Sequence, residues 1–275
     1  MPRRTVLSAS QRILFETLPT APADLAKYYL LSDEELTLVQ ERRRAENRLG
    51  FALQLCLVRY PGRLLRANEQ PPQALIAFVA EQVGADSGIF SEYAKRDETR
   101  WEHALLLIRR LGLSTFTGQH LREVVPWLVP IAVENPKGTV LVRAVLNELR
   151  HRRILLHPDL AVVERLVATT MGRAERRVFN QINESLSDTQ HTRFDRWLIP
   201  EVDKTQSRFS WVRQPAGKPC LANGLAIIER LQAIEALKSP VAVVETLPLG
   251  RRQLLSREGK RESTLGLGLG LRTLT

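Results

Sequence analysis

Cysteine is nearly absent from this chain. Cys56 and Cys220 stand far apart in 275 residues, so neither a disulfide framework nor a cysteine-rich zinc site can be built, and a reducing cytoplasm is the compartment implied. Long apolar runs are missing as well. No stretch approaches the roughly eighteen residues of a membrane span, and the basic opening Met1-Pro2-Arg3-Arg4 has no apolar segment of signal-peptide length behind it. A soluble, cytoplasmic protein without a membrane partner is expected. The five histidines, His103, His120, His151, His157 and His191, are scattered without ligand spacing and read as structural or solvent-exposed. The sequence also lacks a phosphate loop, a dinucleotide fingerprint, a Gly-x-Ser-x-Gly elbow and a His-Glu-x-x-His pair. No catalytic residue, no metal, no cofactor and no small-molecule substrate is therefore expected.

What is present in excess is positive charge. The net charge is +10 with a pI near 10.2, and seven lysines stand against thirty-three arginines. Such a balance implies a polyanionic partner, nucleic acid first. Arginine offers a planar fork of donors that grips phosphates and guanine edges in pairs. A GC-rich coding sequence also inflates arginine, so the bias supports DNA binding without establishing it. With 44% hydrophobic and 25% charged residues, the chain can bury a core in one or two domains.

Helical signals dominate, and the fold class expected is all-α. Ser32 and Glu35 form a capping box before a helix predicted to reach Arg44, with Leu36 and Val39 inward. Asn47 then caps a helix to Tyr60 that is apolar nearly all round, hence central, and Pro61-Gly62 stops it. Further helices are predicted from Pro72 to Val83, closed by Gly84, and from Glu98 to Leu111, with Trp101, Leu105, Ile108 and Leu111 as the inward stripe. The segment from Gly118 to Val133 carries Pro126, which predicts a kink or two pieces.

The stretch Glu134-Asn135-Pro136-Lys137-Gly138 is the strongest boundary signal, giving domains 1–134 and 135–237 and a remainder, 238–275, read as linker and tail. The second domain is predicted to hold helices from Thr139 to Arg150, from Pro158 to Thr169, from Arg173 to Leu186 after a break at Met171-Gly172, and from Asn223 to Leu237. The tail alternates Leu and Gly from Leu265 to Leu271, which denies the backbone a fixed conformation. It reads as disordered or as the product of a shifted reading frame.

Candidate DNA contacts lie at basic clusters near helix ends. Arg42, Arg43 and Arg44 end one predicted helix and Asn47 and Arg48 begin the next, where a helix-turn-helix reader places residues at base edges. The same arginines serve equally as partners of a helix macrodipole. Lys95, Arg96 and Arg100 are assigned to an exposed face opposite Trp101. Arg150, Arg152 and Arg153 are the densest cluster, and Arg173, Arg176 and Arg177 line the helix after the next; together they suit a phosphate backbone. Arg213 and Lys218 flank a loop whose Trp211 is expected to anchor onto the core.

Read together, the segment from Asn47 to Leu55, Glu92-Tyr93, Thr99-Arg100, Arg59-Tyr60-Pro61-Gly62, Ile154-Leu155-Leu156 and Trp211-Val212-Arg213-Gln214 with Lys218-Pro219 resemble the N-terminal region of class II replicative transposases. This is the Tn-three family, in the subgroup carried by mercury-resistance transposons, and the resemblance extends from Met1 to about Gly259. Two features depart from the family: the Leu-Gly tail, and Trp101 where relatives often carry Arg.

The resemblance implies a helical region that recognises the terminal inverted repeats, with strand transfer assigned to a distant RNase-H-like domain bearing an Asp-Asp-Glu metal site. On this reading the chain is a truncated transposase without enzymatic activity. It comprises two tandem, helix-turn-helix-like DNA-binding modules, with double-stranded DNA as partner, full-length transposase or a second copy as further partners, and a place at the bacterial nucleoid. The rival reading is a helical interaction or scaffold module of a larger transposase, or a regulator that competes for the ends.

Overall fold

A computed structural model describes residues 5–66, 69–94, 97–156, 159–200, 205–215, 217–237 and 241–264. The chain divides into two compact units, one formed by Met1–Leu128 with Lys137–Thr170 and the other by Val129–Pro136 with Met171–Thr275. The units interleave along the sequence, with changes after residues 128, 136 and 170. The fold is predominantly α-helical.

The first unit contains α1 (Ala9–Glu16), α2 (Pro22–Tyr29), α3 (Asp33–Gln40), α4 (Ala45–Arg59), α5 (Gln73–Val83), α6 (Phe90–Ala94), α7 (Asp97–Arg110), most of α8 (Gly118–Glu134), α9 (Gly138–His151) and the start of α10 (Leu160–Glu184). Helix α4 is the hub, as its all-round apolar sequence predicts: every residue from Leu49 to Val58 is buried. At about 1.5–3 kcal/mol for each large apolar side chain withdrawn from water, this one helix supplies much of the unit's driving force. Helices α2, α3, α5, α6 and α7 surround it. Gly50 lets α6 approach, because a Cβ there would stand 2.2 Å from the Tyr93 ring.

Local signals explain several boundaries. Ser32 and Glu35 make both arms of the capping box before α3, and Glu35 also accepts from Arg59 at 2.8 and 3.0 Å. Gly84 closes α5 in the left-handed conformation, φ 64°. Helix α3 ends at Gln40 rather than Arg44, and α4 begins at Ala45 with extended Arg44 as its cap. Asn47 is therefore inside the first turn and caps nothing, a correction to the sequence reading.

Helix α8 runs as one element through Pro126, and α10 runs unbroken through Met171-Gly172. Gly172 costs a helix about 1 kcal/mol relative to alanine. The buried series Val163, Val167, Thr170, Ala174 and Val178 keeps helical spacing across it, so burial outweighs the local penalty. The strands are minimal: β1 (Ser114–Thr115) pairs in parallel with β2 (Ile154–Leu155).

The second unit holds the remainder of α8 and α10 with α11 (Asp188–Leu198), α12 (Arg208–Val212), α13 (Leu221–Leu237), α14 (Val241–Glu245) and α15 (Leu249–Thr264). The predicted linker is thus helical over 241–245 and 249–264. Leu247 is buried, and the Arg251 guanidinium, also buried, donates to the carbonyls of Ala132 and Val133 at the end of α8. The Leu265–Leu271 run lies outside the described residues. On α13 only Ala233 and Leu237 are buried, while Leu221, Leu225, Ile228 and Leu231 are exposed. No helix among the described residues is long and apolar enough to cross a membrane.

Candidate nucleic-acid interface

The arginines at the start of α4 divide by environment. Arg43 and Arg44 are exposed, with Arg44 only loosely matched to Glu46 at 3.8 Å. Arg42 turns inward: its guanidinium carbon lies 5.3 Å from the Phe51 ring centroid, and a terminal nitrogen reaches Glu41 at 2.9 Å. Arg48 donates to Gln40 at 2.7 Å, which binds it back to the end of α3. The Asn47 carbonyl oxygen is buried without a protein hydrogen bond.

Helix α7 is turned differently from the sequence reading. Trp101 is 63% exposed, and the residues facing α4 are His103, Ala104 and Leu107. Polar contacts fix this rotation. Gln54 donates to the Tyr93 hydroxyl and to the Arg100 carbonyl, each at 2.8 Å. His103 Nδ1 lies 3.2 Å from the same hydroxyl, and its ring stands edge-on to Phe51 at 5.1 Å. Burial, with the Arg42 charge adding to it, pushes the His103 pKa down to about 4. Arg100, expected on the outer face, has a side chain only 11% exposed and is paired with Asp97. Lys95 and Arg96 lie outside the described residues.

The 150–153 cluster is largely engaged within the protein. Arg150 donates to the Leu146 carbonyl at 3.1 Å and to Asn147 at 2.8 Å, and lies over the Tyr60 ring. Arg152 pairs with Glu148 at 2.7 Å and Glu123 at 3.6 Å. Arg153 alone is exposed and unmatched by a carboxylate among the described residues. It holds a left-handed backbone, φ 56°, which a side chain with a Cβ adopts at a cost of about 1–2 kcal/mol.

Arg173, Arg176 and Arg177 occupy one exposed face of α10, continued by Asn180, Gln181 and Glu184 around a shallow depression of about 640 Å³. None of the three arginines has an ion-pair partner among the described residues. Helical periodicity alone identified this face. Arg213 lies over Phe209 at 5.0 Å, half-buried, while Lys218 is exposed. Trp211 is half-buried under the Arg230 guanidinium, 5.9 Å away.

Sequence reasoning missed two groups. Arg193, Arg196 and Arg208 gather around Trp197, with Arg208 5.8 Å from its ring centroid. In the first unit, Arg63, Arg66 and Arg143 join Arg150 in a groove of about 440 Å³ beside Tyr28 and Tyr60. Helical spacing could not reveal the latter, because Arg63 and Arg66 lie outside any helix.

Residues 6–170 match the family described as "Domain of unknown function (DUF4158)", a segment ending where the first compact unit ends. The chain is 37% identical over 261 residues to the transposase for transposon Tn21 of Escherichia coli, covering 94% of this chain and 26% of that protein. It is 36% identical over 268 residues to the transposase for transposon Tn501 of Pseudomonas aeruginosa, covering 98% and 27%. With the transposase for transposon Tn1546 of Enterococcus faecium it shares 30% identity over 260 residues, covering 94% and 26%. The chain spans about a quarter of the length of these relatives. It belongs to the DUF4158 family and is homologous to the Tn3-family transposases, those of the mercury-resistance transposons Tn21 and Tn501 among them.

Proposed function

We propose that this chain binds double-stranded DNA at the terminal inverted repeats of a transposon, with the two compact units as separate helical modules of helix-turn-helix type. It supplies recognition within transposition rather than the chemistry of strand transfer. The observation that carries this reading is the exposed Arg173-Arg176-Arg177 face of α10 with two side-chain amides, Asn180 and Gln181, alongside. Guanidinium groups with no ion-pair partner among the described residues are available to neutralise phosphates and release their counterions, and amides in register with them suit base edges. The family relationship supplies the context, since the relatives are named as transposases.

Titrating the purified chain with a duplex carrying the transposon end and with a scrambled duplex, across a salt series, tests the proposal. The specific duplex is expected to win by roughly a thousandfold or more, with affinity falling steeply as salt rises. Equal affinity for the two duplexes overturns sequence-specific binding. No affinity for either would favour a protein-interaction module instead.

A further inference from the structure

Four arginines from two distant stretches of sequence converge on the groove of the first unit. Arg63 and Arg66 come from the segment after Pro61, and Arg143 and Arg150 from one face of α9, two turns apart. The acidic side chains near them do not balance this charge. Glu69 is committed to Arg63, which it holds through both guanidinium nitrogens, and to the Arg66 backbone amide at 2.8 Å. Burial opposes the ionisation of Glu69, but those hydrogen bonds outweigh it and hold its pKa below the ordinary carboxylate value. Glu16 is the one carboxylate lining the groove among the described residues. Arg143 is exposed and has no ion-pair partner among them.

The aromatic pair narrows the ligand class. Tyr28 and Tyr60 stack at 4.0 Å with an interplanar angle of 12°. Arg150 lies 5.3 Å from the Tyr60 centroid and Lys27 4.9 Å from that of Tyr28. These rings are already partnered by each other and by cations, so the stack is a wall and not a platform for a nucleobase. Arg150 is held by Leu146 through Nε, by Asn147 through one Nη2 hydrogen and by the Tyr60 ring, so the remaining hydrogens of its two terminal nitrogens sit on an already ordered guanidinium. A tetrahedral oxyanion suits such fixed, forked donors.

We propose that this groove seats one backbone phosphodiester of DNA, with Arg143 and Arg150 as its ligands and the Tyr28–Tyr60 wall beside the adjoining sugar. The inference rests on the DNA-binding reading and adds a phosphate seat in the first unit.

The test compares the full chain with Arg143→Ala and Arg150→Lys on the transposon-end and scrambled duplexes across a salt series, with melting measured in parallel. Arg143→Ala should leave melting unchanged, weaken both duplexes by the same factor, and lower the slope of log affinity against log salt by about one. Arg150→Lys keeps the charge but loses the fork, so it should weaken both duplexes while retaining the slope. If the wild-type chain binds and neither variant changes affinity or slope, the phosphate seat is wrong and the DNA-binding reading stands. If the wild type binds both duplexes equally but Arg143→Ala lowers the slope, the seat stands and sequence specificity fails. If the wild type binds neither duplex, both fall.

Discussion

The Arg150 guanidinium lies 5.3 Å from the centroid of the Tyr60 ring, and its side-chain methylenes lie close against Gly62, where a Cβ would stand 2.9 Å from Arg150 Cγ. The densest basic cluster thus has a structural member at its centre. Replacing Arg150 by Ala removes a cation–π interaction and apolar packing together, about 1 kcal/mol. The melting temperature should fall by about 2–4 °C. Joint substitution of Arg150, Arg152 and Arg153 would therefore mix stability with affinity, and a melting curve of Arg150→Ala unchanged from wild type would refute this assignment.

Gly50 is set by packing, not by helix preference. Alanine would favour α4 by about 1 kcal/mol in isolation, but its Cβ would meet the Tyr93 ring at 2.2 Å. Overpacking of this kind costs about 1–3 kcal/mol, so Gly50→Ala should destabilise. Adding Tyr93→Leu should recover part of the loss in a double-mutant cycle. Additive effects would mean that the two positions do not meet.

His103 makes the first unit sensitive to acid. Its pKa is lowered by burial, and secondarily by Arg42, from an ordinary 6.5 to about 4, so the unfolded chain binds this proton more readily than the folded one. The stabilising contribution is complete above about pH 6.5 and is lost progressively as pH falls toward about 4. Melting temperature measured from pH 7.5 down to 4.5 should decline less in His103→Gln than in wild type. Parallel curves would exclude His103 as the source.

The α10 face should be separable from stability. Arg176 and Arg177 are exposed, and their joint replacement by Ala should change folding stability by no more than about 0.5 kcal/mol per site. The salt slope for DNA should fall by about two, one for each phosphate that the variant no longer neutralises. An unchanged slope in protein that binds DNA would remove this face from the interface.

The elements that could be read from sequence are those whose signals are local. Helix α4 is apolar on every side, α5 ends in a left-handed glycine, and α3 opens on a capping box. Capping boxes of the same kind at Ser8–Gln11 and Ser187–Gln190 mark α1 and α11 and could have located both helices. The rotation of α7 was not legible, because a tryptophan ordinarily outranks a histidine for burial; here the Tyr93 hydroxyl and Gln54 supply polar partners that make the histidine the better inward residue. Asn47 looked like a cap because it precedes the apolar run, yet the cap is Arg44, three residues sooner. The groove was invisible for a different reason: Arg63 and Arg143 are eighty residues apart, and only the tertiary fold brings them to one surface.

The turn that carries Arg153 is fastened on two sides. The Ser114 amide donates to the Arg153 carbonyl at 3.0 Å, and the Leu156 amide donates to the Gly62 carbonyl at 2.8 Å. Amides held in this way exchange hydrogen with solvent only when the fastening opens, so both should persist in deuterium exchange long after neighbouring surface amides have been replaced. The exposed Arg153 side chain is thus carried by a backbone that is already fastened. Binding of an anion at Arg153 would then require no ordering of the turn's backbone, and a heat of binding without a loop-ordering contribution is the expected outcome.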